Sequence, residues 1–65
     1  MTVPAPHPRA DQIAREFHEA YERLAPDFGH RTREESAVPW EEVPSGNRGL
    51  MVATVTTLLE RGVIR

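Results

Sequence analysis

Three arginines and one tryptophan are the residues of this chain whose types best suit ligand binding. Arg31, Arg33 and Arg48 flank Trp40 along the sequence. A guanidinium group holds a phosphate through paired hydrogen bonds, and a neighbouring aromatic plane stacks a planar base. This combination predicts a site for a phosphate-bearing small ligand such as a signalling nucleotide.

The predicted start of the second helix adds a place for an anion. In the run SGNR at residues 45–48, free backbone N–H groups and the positive end of the helix dipole point outward, beside a glycine that permits close approach. The predicted ligand-binding residues are Arg31, Arg33, Trp40, Asn47 and Arg48.

A structural role for these residues is the commoner alternative. Arg33 and Arg48 would then pair with acidic side chains of the loop, and Trp40 would close the core. The loop acids available for such pairs are Glu34, Glu35, Glu41 and Glu42. The residue types leave both interpretations open.

Catalytic chemistry finds little support in the chain. His18 and Glu19 are adjacent, but neighbouring helix residues point about 100° apart and do not form an acid–base dyad. A zinc-binding HExxH motif is absent because Glu22 stands at its last position. Ser36 and Ser45 lack the context of a nucleophile elbow. We therefore expect a non-enzymatic protein without catalytic residues, in which His18 bonds to the loop backbone.

The size of the chain predicts self-association. Sixty-five residues form one domain at most, and a chain this short buries only ~60% of its unfolded surface. Disulfides, a metal or an oligomer usually supplement so small a core. The chain has no cysteine, and His7, His18 and His30 lie in separate regions, so neither a metal nor a cofactor is expected. A homodimer is the remaining expectation.

Charge and hydropathy limit the partners further. The net charge is −2, from eight basic and ten acidic side chains, which argues against general binding to a nucleic-acid backbone. No apolar run approaches the ~20 residues of a membrane span, and the N-terminus lacks the order of a signal peptide. We expect a cytoplasmic protein that does not contact membranes.

The fold class predicted is all-α, with two main amphipathic helices joined by an ordered loop with short irregular segments. The first helix spans residues 10–24, ends before Pro26, and has acid-first pairs Asp11–Arg15 and Glu19–Arg23 on its solvated side. Its apolar stripe consists of Ala10, Ile13, Ala14, Phe17, Tyr21 and Leu24. Residues 1–9 are predicted to be a disordered Pro-rich tail, and residues 10–65 to be one domain.

The loop and the second helix complete this prediction. Apolar side chains that anchor the loop are Phe28, Val38, Trp40 and Val43. The second helix runs from about Pro44 to Arg61, with Ser45 as a capping side chain and Gly62 as its terminator. It is expected to be mostly buried through Leu50, Met51, Val55, Leu58 and Leu59. A DNA-reading helix-turn-helix is disfavoured because apolar residues occupy the base-reading positions.

Four segments occur in an order that resembles the ryanodine-receptor repeat domain. Across about residues 11–64 they are HEAYERL, GHRTREE, PWEEVPSGNRGLM and LLERGVI. Small stand-alone proteins of similar pattern come from bacteria and from phages of actinobacteria. The resemblance implies a compact helical module used for binding, with no catalysis to carry over. The alternative function is a phage or bacterial accessory module that binds a host or partner protein.

Overall fold

Two α-helices form the described part of the protein, as expected. The computed structural model describes residues 5–65. Helix α1 spans Ala10–Leu24 and helix α2 spans Ser45–Glu60. The connecting loop contains two short 3₁₀ turns, at Ala25–Phe28 and Trp40–Glu42. The all-α fold class is confirmed for these residues, whereas residues 1–4 of the predicted tail lie outside the described part.

Glycine ends both the first 3₁₀ turn and helix α2. Gly62 has a φ of 72°, where its N–H donates to the carbonyl of Leu59 and the N–H of Val63 donates to the carbonyl of Leu58. This pair of bonds is the Schellman arrangement, which requires a left-handed residue and so favours glycine. Gly29, with a φ of 67°, ends the first 3₁₀ turn in the same way.

The start of α2 differs in detail from the prediction. Pro44, not Ser45, occupies the capping position, and no side chain caps the helix. Pro44 has a ψ of 140°, and its carbonyl accepts the N–H of Arg48 at 3.0 Å. Because Ser45 is already the first helical residue, its hydroxyl does not satisfy the free N–H groups of that turn.

The core lies between the two helices and is closed by the loop. Trp40 and Val43 are buried there against Ala10, Ala14 and Val55. The two small alanines leave room for α2 and for the indole ring close to the α1 backbone. Trp40 and Val43 therefore anchor the loop as predicted, and Val38 packs against the same cluster. Phe28 was wrongly expected to join them, since it is exposed on the 3₁₀ turn.

Helix α1 buries only part of the apolar stripe that was predicted. Ala10, Ala14 and His18 are buried at intervals of four residues. Phe17, Tyr21 and Leu24 of the predicted stripe are exposed. The core cluster includes only Ala10, Ile13 and Ala14 of α1, so the large side chains that follow them lie outside the core.

Helix α2 is less buried than expected. Val55 and Thr56 are its only fully buried residues within the described chain, and Leu50 is exposed. One side of α2 meets α1. Thr56 is held in place because its Oγ1 accepts the backbone N–H of His7 at 3.1 Å, which ties the residues before α1 to α2.

Arg15 forms the ion pairs found within residues 5–65. Its Nε lies 3.6 Å from Glu19 Oε2, and its Nη2 lies 3.0 Å from Glu41 Oε1. The predicted Asp11–Arg15 and Glu19–Arg23 pairs are therefore wrong, because the loop carries Glu41 to Arg15. These groups are about half exposed, so the pairs add little stability. No helix among the described residues is long and apolar enough to cross a membrane.

Candidate functional site

A cavity lies between the C-terminal half of α1, residues 30–36 of the loop and the start of α2. It is an open groove of about 540 Å³. This volume lies within the range of small-molecule sites, about 300–1,000 Å³. The groove, hereafter the α1–loop cavity, has an aromatic wall and a polar wall.

The aromatic wall comes from α1. Phe17 and Tyr21 are one helical turn apart, with ring centroids 5.8 Å apart and planes inclined by 23°. His30 meets Tyr21 edge-on, at a centroid distance of 6.2 Å. Phe17 and Tyr21 are both exposed, so their rings remain accessible to a planar ligand.

The polar wall comes from the loop and from α2. Arg31 and Arg33 line the cavity, and Asn47 lines it from the first turn of α2. The Asn47 amide donates from Nδ2 to Ser36 Oγ at 3.3 Å, which joins the loop to the helix start. Within residues 5–65, neither arginine has a carboxylate within ion-pair distance. Their guanidinium groups are thus available to an anion.

A carboxylate completes the lining of the α1–loop cavity. Glu22 is half-buried on α1, and its Oε1 accepts a hydrogen bond from Thr32 Oγ1 at 2.6 Å. This bond fixes the carboxylate and ties the loop to α1 across ten residues of sequence. The lone pairs of Glu22 that Thr32 does not use can accept N–H groups from a ligand.

Two of the five predicted site residues lie away from this cavity. Trp40 is buried in the core, where its ring lies 5.8 Å from the ring of His18, so it cannot stack a ligand. Arg48 lines a separate cavity of about 370 Å³ together with Asp11 and Ser45. The separation of Arg48 from Asn47 has a simple cause: adjacent helix residues point about 100° apart.

The expected role of His18 is confirmed. Its Nε2 lies 2.7 Å from the carbonyl oxygen of Val38. A carbonyl only accepts, so Nε2 carries the proton and donates. His18 is therefore a buried link between α1 and the loop, which is a structural role.

Phe17 and Tyr21 line the cavity although the sequence did not indicate it. Their spacing of four residues predicted that they share a helix face, which is correct, but we assigned that face to the core. Arg31, Arg33 and Asn47 were predicted and do share one cavity. No signal in the sequence alone distinguishes an aromatic pair that lines a groove from one that fills a core.

Comparisons and metal-binding geometry add no further assignment. No protein-family model matches this chain, and searches of curated proteins and of solved structures give no match. In the part of the chain that the structure describes, no three His, Cys, Asp or Glu residues are grouped to hold a metal ion.

Proposed function

We propose that this protein is a non-enzymatic binding module for a phosphate-bearing planar ligand of the nucleotide class, held in the α1–loop cavity. One observation carries the proposal. The accessible aromatic pair Phe17 and Tyr21 lines the same cavity as Arg31 and Arg33. Stacking on an aromatic plane and a charged hydrogen bond to phosphate are the two interactions that nucleotide sites combine.

The aromatic wall supports the base. Stacking of a base on an aromatic side chain is worth about 1–3 kcal/mol. Phe17 and Tyr21 lie close to parallel, with their ring planes inclined by 23°.

The polar wall supports the phosphate. Arg31 and Arg33 are exposed, and each carries five N–H donors in a planar fork that fits a phosphate. Asn47, already bonded to Ser36, places an amide between the loop and the first turn of α2. The free N–H groups of that turn favour negative charge nearby.

Glu22 favours guanine among the common bases. The edge of guanine presents two neighbouring donors, N1–H and the N2 amino group, whereas the edge of adenine places an acceptor beside its amino group. A fixed carboxylate accepts both guanine donors and repels the adenine acceptor. Because Thr32 holds the Glu22 carboxylate, we expect a preference for guanosine monophosphate over adenosine monophosphate.

Isothermal titration calorimetry with four probes tests the proposal. The probes are guanosine monophosphate, adenosine monophosphate, guanosine and ribose 5-phosphate. We expect both mononucleotides to bind. Guanosine should bind more weakly because it lacks the phosphate, and ribose 5-phosphate should bind more weakly because it lacks the base. At a free concentration of ten times its dissociation constant, a nucleotide adds ~1.4 kcal/mol to the free energy of unfolding. The proposal fails if no probe binds at millimolar concentration.

A module that binds a partner protein is the second candidate, and a different observation favours it. Large apolar side chains are exposed in a continuous row along α1 and the turn that follows it. Soluble monomers rarely expose such groups side by side without an interaction partner. Both candidates agree with a compact module of the ryanodine-receptor-repeat type, which we retain as a proposal.

A further inference from the structure

An exposed row of large apolar side chains runs along α1 and continues into the first 3₁₀ turn. Phe17 is 63% exposed, Tyr21 46%, Leu24 45% and Phe28 82%. Their spacing of four, three and four residues places them on one face. We call these four residues the aromatic row. It lies beside the buried row of Ala10, Ala14 and His18, so the apolar face of α1 is wider than the core that covers it.

A shallow groove opens at the C-terminal end of the aromatic row. Its volume is about 240 Å³, and it is lined by Tyr21, Leu24, Ala25, Phe28 and His30. Phe28 stands at the edge of this groove and is the most exposed large apolar side chain of the described residues. A protruding ring and a groove that admits a ring thus lie next to each other on one surface.

We propose that a second copy of this chain covers the aromatic row in a twofold-symmetric dimer, which withdraws Phe17 and Tyr21 from the α1–loop cavity, so that dimerisation competes with nucleotide binding. In this arrangement Phe28 of each copy enters the groove of the other, and the two Phe28 rings meet near the twofold axis. In a twofold-symmetric interface, a contact from one residue to a second residue of the other copy is always repeated in the opposite direction. A surface that carries both a projection and its complementary groove meets this requirement.

The exposed area agrees with a dimer interface. Full side chains of this size present about 200 Å² each, so the aromatic row exposes roughly 450 Å² of mainly apolar surface per copy. Two copies bring roughly 900 Å² together, which is below the 1,200–2,000 Å² of a stable interface and is typical of a weak dimer. Exposed patches of this size on monomers commonly mark interaction sites.

The small core explains why the partner is a second copy. Six apolar residues are buried among those described, and three of them are the alanines Ala10, Ala14 and Ala25. The chain has no cysteine to form a disulfide. A domain of this size gains stability from association, and another copy is present wherever the protein is. The net charge of only −2 opposes that association weakly.

Sedimentation equilibrium tests this inference. The protein concentration is varied from about 1 µM to about 1 mM, which covers the dissociation constants of weak and moderately stable dimers. We expect the wild-type mass to rise with concentration from 7.4 kDa to twice that value. Phe28→Glu should remain a folded monomer over the whole range, because the ring contributes nothing to the core of a single copy. A wild-type protein that stays monomeric throughout overturns the dimer.

A matched control identifies the surface. Leu50→Glu places the same charge on α2, where Leu50 is 67% exposed and lies outside the groove. We expect Leu50→Glu to dimerise like the wild type. If Phe28→Glu still dimerises, or if Leu50→Glu alone abolishes the dimer, the aromatic row is not the interface. Circular dichroism at each concentration verifies that both variants retain their helices. Should Phe28→Glu fail to fold, Leu24→Glu, at the same groove, takes its place.

Discussion

The side chain of His18 on α1 donates a hydrogen bond of 2.7 Å to the backbone carbonyl of Val38, which lies twenty residues later in the loop. His18 is buried and lies beside Trp40, so the imidazole side of this bond is shielded from water. It places Val38 and the 3₁₀ turn that carries Trp40 against α1. Together with the Thr32–Glu22 bond, it fixes the loop that forms one side of the α1–loop cavity.

Replacement of His18 should destabilise the protein. We expect His18→Ala to lower the free energy of unfolding by about 2–4 kcal/mol, because the carbonyl of the half-buried Val38 loses its donor and a cavity opens beside Trp40. Urea denaturation monitored by circular dichroism measures this loss. His30→Ala, at an exposed histidine, serves as the control and should cost less than about 1 kcal/mol. Equal losses in the two variants would contradict the structural role of His18.

Trp40 should contribute to stability and not directly to ligand contact. Trp40→Ala should cost about 3–5 kcal/mol, since the indole fills the space between the alanines of α1 and Val43. A loss of that size is comparable to the whole stability expected of so small a domain. We expect the variant to lose its cooperative thermal transition. A folded Trp40→Ala protein that merely fails to bind guanosine monophosphate would show instead that the indole faces the ligand.

The two arginines of the cavity should differ from Arg48 in their effect on binding. Arg33→Ala should weaken the binding of guanosine monophosphate by about 1.5–3 kcal/mol, the usual contribution of a hydrogen bond to a charged group. Arg48→Ala removes the same charge at a separate cavity, and we expect unchanged affinity. Calorimetric titration of both variants measures the difference. Similar losses would mean that the phosphate lies at the start of α2 and not beside Arg33.

The aromatic wall allows an equally direct comparison. Phe17→Ala should weaken guanosine monophosphate binding by about 1–3 kcal/mol through lost stacking. Its melting temperature should change little, because the ring is exposed. Phe28→Ala removes the same ring outside the α1–loop cavity and should leave the affinity unchanged at protein concentrations below dimerisation. The stacking assignment is wrong if Phe28→Ala has the larger effect on affinity.

The carboxylate of Glu22 should determine the base preference. Glu22→Gln keeps the shape of the side chain but replaces one acceptor oxygen with an amide NH2 group. This group repels the N1–H and N2 donors of guanine and can donate to the N1 acceptor of adenine. We expect the preference for guanosine over adenosine monophosphate to fall about tenfold or more, corresponding to ~1–3 kcal/mol of discrimination. Calorimetry with both nucleotides tests this expectation. An unchanged ratio would remove Glu22 from base recognition while leaving nucleotide binding itself intact.

The helix boundaries follow from local sequence. Pro26 stops α1, Pro44 precedes α2 and Gly62 ends it, and each acts through the backbone angles of its own few residues. Such signals do not depend on distant contacts, so both helices were predicted to within a residue or two. Large apolar residues in a polar loop favour contact with a core, which agrees with the burial of Val43 and with the structural alternative for Trp40, whereas Phe28 is exposed.

Tertiary packing alone decided which side of α1 is buried and where the site residues lie. The apolar face of α1 is wide enough to bury either Ala10, Ala14 and His18 or the row from Phe17 to Leu24. Which of the two rows is buried depends on the side of α1 against which α2 and Trp40 pack. They pack against the small side chains because these permit close contact between the elements. With the helices packed in this way, Phe17 and Tyr21 line the α1–loop cavity and Arg48 lies at a separate cavity. Periodicity defines a helix face, but only the position of the neighbouring elements determines what that face contacts.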